Sequence, residues 1–115
     1  MPLQILRVGK LAIIGAPVEF TTMAGRRVRA AVLAALGGAE LGWRVVLAGL
    51  ANTYSSYCAT PEEYAAQRYE AASTLYGPHT LDAYVQFGAR CCCRVVYCCY
   101  WRSPRPLCEL HLCGV

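Results

Sequence analysis

The chain has 115 residues, of which 57% are hydrophobic and 16% charged, and its formal net charge is +4. This length accommodates one domain, and the high apolar content excludes an intrinsically disordered protein, a collagen and a coiled coil. No apolar run approaches the roughly 20 residues that cross a bilayer, so we expect no transmembrane segment. The first ten residues also predict no signal peptide.

Cysteine and charge content divide the chain into two parts. Seven of the eight cysteines and most of the net positive charge fall within residues 88–115. The body has no basic run beyond Arg26-Arg27-Val28-Arg29, so its composition predicts no nucleic acid partner. We therefore predict an ordered body over residues 1–87 and a Cys- and Arg-rich tail over residues 88–115 that is irregular and disordered.

The body alternates strand and helix patterns, which predicts an α/β fold containing a βαβ-type unit. Short apolar runs predict three strands, at about residues 4–8, 11–15 and 44–50. Apolar residues at helical spacing predict three helices, at about residues 21–36, 61–74 and 78–87. The third strand is almost wholly apolar, which is typical of a strand covered on both faces of a parallel sheet.

Helix starts are marked by capping residues. Thr21 or Thr22 is expected to cap the first helix. Thr60 and Glu63 form a capping-box pattern around Pro61, which predicts a well-defined start for the second helix.

Two segments that follow predicted strands carry the candidate functional groups, because functional residues of α/β sheets gather at the carboxyl ends of strands. Residues 16–22 contain Glu19, which precedes a helix N-terminus, where the helix dipole favours an anion. Residues 51–60 contain two tyrosines. On spacing alone, Glu19 also fits a helix-flanking carboxylate paired with Arg26 or Arg27, and the tyrosines also fit core and rim aromatics.

Three unusual strings occur in order and at compatible spacings, namely PVEFTTMAGRR at 17–27, AGLANTYSSY at 48–57 and EEYAAQRYEAASTLYGPHTL at 62–81. Together they closely resemble the neutral (neutral/alkaline, non-lysosomal) ceramidases, over about residues 4–87. In that family the matching stretch is the last part of a zinc-dependent catalytic domain, which a smaller β-sandwich-like domain follows. The resemblance implies a hydrolase of sphingolipid metabolism that cleaves the N-acyl amide of ceramide into sphingosine and a fatty acid.

The resemblance also implies roles for individual residues. It makes Glu19 and Tyr57 ligands of the catalytic Zn²⁺, and it places Tyr69 where a phenol stabilises the oxyanion formed on the amide. The family supplies two further ligands as histidines far upstream, and neither His79 nor His111 matches those positions. We therefore predict an incomplete ceramidase, whether a truncated gene model, an isoform or a duplicated fragment, that binds zinc weakly and is inactive alone.

Two departures from the family pattern stand out. Val18 occupies a position where the family usually has glycine, and a β-branched residue would be strained there if the backbone required a positive φ. The resemblance also stops after Phe87, which favours an altered reading frame or a retained intron as the origin of the tail. The alternative for the tail is a metal-binding or redox module built on pairs with four intervening residues, Cys93 with Cys98 and Cys108 with Cys113.

Other interpretations of the whole chain stay open. A non-enzymatic binding or regulatory protein could keep the ceramidase subdomain without its chemistry and bind ceramide or another lipid in an apolar groove. Apolar surface left exposed on the body predicts association with another chain. The family implies a location at the cell surface or outside the cell, although the sequence itself leaves the location unknown.

Overall fold

The computed structural model describes the backbone of residues 3–101 and 109–113, and the side chains of residues 3–91. Its strands are β1 (Leu3–Val8), β2 (Leu11–Gly15), β3 (Glu19–Phe20), β4 (Arg44–Ala48), β5 (Tyr57–Cys58) and β6 (Glu109–Cys113). Its helices are α1 (Thr22–Ala35), α2 (Pro61–Ala66), α3 (Tyr69–Ala72) and α4 (Thr80–Trp101), and a short 3-10 turn covers Ala39–Leu41. The mixture of sheet and helices confirms the predicted α/β class.

The larger sheet has the strand order β4-β2-β1-β6. Strands β1 and β2 are antiparallel and form a hairpin whose turn includes Gly9, with a φ of +59° that glycine adopts without strain. Strands β2 and β4 run parallel and are joined through α1, as the predicted βαβ unit requires. This unit brings the carboxyl ends of β2 and β4 to the same edge of the sheet.

Helices α1 and α4 contribute to a single hydrophobic core with the sheet. Alternate residues of β1 and β2 are buried, as expected for strands with one covered face. The buried cluster includes Leu3, Ile5, Ile14, Val28, Val32 and Leu81. Strand β2, which leads towards Glu19, is therefore anchored in the core.

Strand β4 departs from the expected burial pattern. Val45 is buried, but Val46 is 48% exposed, and no described strand pairs with the outer edge of β4. The prediction that this strand is covered on both faces is therefore wrong for the described part of the chain. An apolar composition does not by itself distinguish a covered strand from an edge strand whose outer face exposes valine.

Both predicted helix caps are present. The hydroxyl of Thr21 accepts a hydrogen bond from the backbone N–H of Ala24 at 3.2 Å, which satisfies one free donor of α1. Thr60 and Glu63 exchange the two hydrogen bonds of a capping box at the start of α2, and Pro61 is its first helical residue.

The prediction of a single helix over residues 61–74 is wrong, because the helical conformation is interrupted between α2 and α3. Gln67 has a φ of +50°, and its side-chain amide donates to the carbonyl of Tyr64 at 2.6 Å. This left-handed residue ends α2. Tyr69 consequently begins the short helix α3. The sequence had predicted that it would lie inside one long helix.

The tail also differs from the sequence prediction. Helix α4 begins at Thr80 and continues past residue 87 to Trp101, since proline, the strongest helix breaker, does not occur between Pro78 and Pro104. Residues 109–113 form β6, which pairs antiparallel with β1 and places His111 opposite Ile5. The cysteine pairs of the proposed metal module lie outside the described side chains. None of the described helices has the length and apolar character needed to cross a bilayer.

Candidate active site

Glu19 and Tyr57 lie opposite each other in a small parallel ladder formed by β3 and β5. The N–H of Glu19 donates to the carbonyl of Ser56 at 2.9 Å, and the N–H of Thr21 donates to the carbonyl of Cys58 at 3.1 Å. Paired residues on neighbouring strands project to the same face about 5 Å apart. The fold therefore places side by side the two residues that the family resemblance implies as zinc ligands.

Tyr69 joins this pair through its aromatic ring. The rings of Tyr57 and Tyr69 meet edge to face, with centroids 5.5 Å apart and planes at 69°. Burial raises the pKa of Tyr57 to about 12, and hydrogen bonding to Tyr69 and the charge of Glu19 act in the same direction. The three predicted site residues thus form one cluster around the Tyr57 hydroxyl.

Tyr54, one of the two tyrosines of the candidate segment 51–60, also belongs to the cluster, although neither the sequence nor the family resemblance gave it a role. Its hydroxyl donates to Oε1 of Glu19 at 2.6 Å, and this hydrogen bond raises the pKa of Tyr54. Arg27, one of the partners that the sequence suggested for Glu19, instead forms a bidentate ion pair with Glu62, with N–O distances of 2.9 and 3.1 Å. Only the folded arrangement of residues 35 positions apart reveals the contact between Tyr54 and Glu19.

The segment that presents Tyr54 and Tyr57 has an unusual backbone. Three of its residues have left-handed φ values, Leu50 at +54°, Asn52 at +71° and Ser56 at +65°. Such conformations are costly for residues other than glycine and persist only where surrounding contacts fix them. The backbone N–H of Ser55 provides one such contact, since it donates to the carbonyl of Pro17 at 2.6 Å.

Glu63 connects the two helices that follow β3 and β5. Its carboxylate accepts a hydrogen bond from the hydroxyl of Thr21 at 2.6 Å and from the N–H of Thr60 at 2.8 Å. Partial burial opposes ionisation, but these hydrogen bonds outweigh it and lower the pKa of Glu63. One carboxylate therefore holds the caps of α1 and α2 together just beyond Glu19 and Tyr57.

Val18 is accommodated without the strain that a positive φ would cause. It is 1% exposed, and it is absent from the residues with left-handed backbone within the described part of the chain. The position that has no room for a side chain is Gly49, where an added Cβ would lie 2.9 Å from the carbonyl oxygen of Val18. The backbone leading to Glu19 thus packs tightly against the end of β4.

The oxygen donors of Glu19 and Tyr57 suit zinc, but they supply only half of a four-ligand shell. Among the described side chains, no group of three or more His, Cys, Asp and Glu residues could hold a metal ion. His79 lies exposed at the start of α4, 3.5 Å from Asp82. A groove of about 710 Å³, a size typical of ligand sites, runs beside Glu19 and Tyr57.

Comparison with known proteins assigns the chain to a family. The family model for neutral/alkaline non-lysosomal ceramidase, N-terminal, matches residues 1–86. The chain belongs to this ceramidase family. It is similar to neutral ceramidase 3 of Arabidopsis thaliana, with 60% identity over 88 residues, and to the neutral ceramidase of Oryza sativa subsp. japonica, with 59% identity over 90 residues. In each case the match covers 75% of this ceramidase-family chain and 12% of the relative.

Solved ceramidase structures have the same fold over most of the chain. Neutral ceramidase from Pseudomonas aeruginosa matches with a TM-score of 0.76 and 52% identity. A ceramidase solved as a complex with C2 matches with a TM-score of 0.77 and 50% identity. Both matches cover 83% of this chain and 15% of the solved chain. The chain therefore spans about one seventh of each solved ceramidase.

Proposed function

We propose that this chain provides one wall of a ceramidase active site, which hydrolyses the N-acyl amide of ceramide to sphingosine and a fatty acid. The observation that carries the proposal is the register of β3 and β5, in which Glu19 is paired with Tyr57. The contact of Tyr69 with the ring of Tyr57 adds a third polar group to the same cluster. The ceramidase matches supply the reaction and the substrate class.

Glu19 and Tyr57 would hold Zn²⁺ through one carboxylate oxygen and one phenol oxygen. Zinc, when bound, supplies a Lewis acid for the amide carbonyl and lowers the pKa of a water molecule that can attack it. Tyr69 would donate a hydrogen bond to the amide oxygen as that oxygen gains negative charge. The groove beside the pair would receive part of the lipid.

Two further donors have to come from outside the described side chains, because Glu19 and Tyr57 alone do not complete a zinc site. We therefore propose that this chain by itself binds zinc weakly and releases no fatty acid. The matching surface of a longer ceramidase chain would supply the two missing imidazoles. We also propose that the working complex acts at the cell surface or outside the cell, the location that the family resemblance implies.

A chimera tests the proposal directly. Residues 1–86 of this chain would replace the matching segment of the Pseudomonas aeruginosa neutral ceramidase, and fatty acid release from labelled ceramide would be measured. We expect a zinc-dependent activity that falls by about 10²–10³-fold in Tyr69→Phe, since one oxyanion donor is lost. Tyr76→Phe is the matched control, because Tyr76 is an exposed tyrosine outside the cluster.

Two results would contradict the proposal. A folded chimera in which Glu19→Gln and Tyr57→Phe keep full activity and full zinc content would remove these residues from the metal site. Zinc-dependent release of fatty acid by the isolated chain would instead show that it needs no further donors.

A further inference from the structure

Tyr54 has no assigned role, yet it makes a short polar contact with the carboxylate of Glu19. The phenol is 56% exposed, so neither hydrophobic burial nor the core explains its position. Its hydroxyl nevertheless donates to Oε1 of Glu19 at 2.6 Å. A hydrogen bond to a charged acceptor is about twice as strong as one between neutral groups.

The backbone around Tyr54 restricts where this hydroxyl can point. The N–H of Tyr54 donates to the side-chain hydroxyl of Thr53 at 2.6 Å, and the next residue is tied to the carbonyl of Pro17 through both its N–H and its hydroxyl. Left-handed residues flank the segment on both sides, at Asn52 and Ser56. The loop therefore fixes the backbone position from which the Tyr54 side chain reaches Glu19.

A hydrogen bond to one carboxylate oxygen limits the ways in which the carboxylate can bind a cation. A free carboxylate can bind a cation through one oxygen or through both. When one oxygen accepts a hydrogen bond, the second oxygen is the one left to bind the cation. Groups that hydrogen-bond a ligating carboxylate also fix its orientation. The Tyr54 hydroxyl is placed to do both for Glu19.

We propose that Tyr54 is a positioning residue that holds Oε1 of Glu19 and so restricts this carboxylate to single-oxygen binding of the metal. The proposal rests on the proposed function, in which Glu19 is a zinc ligand. It adds a residue to that site and states a binding mode for its carboxylate. Tyr54 itself touches neither metal nor substrate in this arrangement.

Zinc affinity is the first test, and it is measured in the chimera described above, which would contain the donors that the isolated chain lacks, with the unsubstituted chimera as the wild type. Isothermal titration with Zn²⁺ alone would compare the wild type with Tyr54→Phe, which removes only the hydroxyl. We expect the variant to bind zinc roughly ten- to a hundredfold more weakly, the effect typical of removing an outer partner of a metal ligand. Tyr76→Phe is the matched control and should bind as the wild type does.

Infrared spectroscopy of the carboxylate supplies a readout that a merely structural role would not move. Carboxylates that bind a metal through one oxygen have a wider separation of their two stretching bands than carboxylates that bind through both. Bands that zinc shifts in the wild type and not in Glu19→Gln belong to Glu19. We expect single-oxygen spacing in the wild type and a narrower, two-oxygen spacing in Tyr54→Phe.

The outcomes separate this proposal from the one on which it rests. If Glu19→Gln and Tyr57→Phe weaken zinc binding but Tyr54→Phe leaves both affinity and band spacing unchanged, the role of Tyr54 is overturned and the metal site stands. If the unsubstituted chimera binds no zinc, or if Glu19→Gln binds zinc as the unsubstituted chimera does, the metal site and the role of Tyr54 both fail.

Discussion

Residues of β3 and β4 line one groove, but the ladder of β3 and β5 and the outer edge of β4 differ in how they are stabilised. Around the ladder, backbone hydrogen bonds, two helix caps and the carboxylate of Glu63 fix a group of polar side chains. In β4, Val46 is 48% exposed, and Leu50, two residues beyond the end of this strand, is 60% exposed. No described strand pairs with the outer edge of β4. The polar groups around the ladder are hydrogen-bonded within the chain, whereas the β4 edge exposes apolar side chains.

This contrast shows how a pair of polar side chains can be held in place next to an edge that is left open. The backbone hydrogen bonds that pair Glu19 with Tyr57 are made within the chain, and Tyr84 of α4 adds a ring contact with Phe20 next to Glu19. The β4 edge, in contrast, has the character of a surface that another strand or chain covers. Glu19 and Tyr57 are therefore expected to keep their spacing before any partner binds.

The largest effect is expected at Gly49, where the two regions meet. An alanine Cβ would lie 2.9 Å from the carbonyl oxygen of Val18, so Gly49→Ala must displace the backbone that leads to Glu19. We expect the free energy of unfolding to fall by about 1–3 kcal/mol, as overpacking usually costs. Gly15→Ala is the control, since its added Cβ would make an ordinary 3.4 Å contact with Ala51. Equal stability of the two variants in urea unfolding would show that the close contact between residue 49 and the Val18 carbonyl does not require glycine at residue 49.

A smaller effect is expected from the carboxylate that joins the helix caps. The folded pKa of Glu63 is lowered, so its stabilising contribution is complete above the unfolded pKa of about 4.3 and is lost as the pH falls through the folded pKa. In Glu63→Gln we expect stability lower by roughly 1 kcal/mol at pH 7 and a shallower decline on acidification.

Glu62 provides the control for this pH dependence. Its pKa is lowered to about 2, chiefly by the hydrogen bond from Arg27, but both side chains lie at the surface. Urea unfolding from pH 7 to pH 3 should therefore separate the two carboxylates, with Glu62→Gln changing stability less than Glu63→Gln at pH 7. The importance of the joined caps is refuted if the two variants behave alike.

Local signals in the sequence predicted much of this fold correctly. The first two strands, the βαβ unit and the capping box of Thr60 and Glu63 were each predicted from patterns along the chain, and all are present. The break at Gln67 was missed because glutamine has no strong preference for the left-handed conformation that ends α2.

The candidate site required more than local pattern. Glu19, Tyr57 and Tyr69 were selected by family resemblance, and spacing alone left helix-flanking and core roles open. The contacts of Glu19 with Tyr54 and of Glu63 with Thr21 join residues 35 and 42 positions apart. No periodicity or capping rule specifies such pairs, since they depend on how β3 and β5 come together in the folded chain.

The smallest effect on stability, and the sharpest test of the exposed region, is expected from a charge on β4. Lysine on an edge strand opposes pairing with another chain, so Val46→Lys should reduce self-association while changing the free energy of unfolding by less than about 0.5 kcal/mol. Leu75→Lys is the matched control, because Leu75 is 66% exposed in a loop away from the sheet edge and receives the same charge. Light scattering over a concentration series would measure the association of both variants. An equal reduction in both would attribute the association to overall charge, whereas a reduction confined to Val46→Lys identifies the β4 edge as the surface that another chain covers.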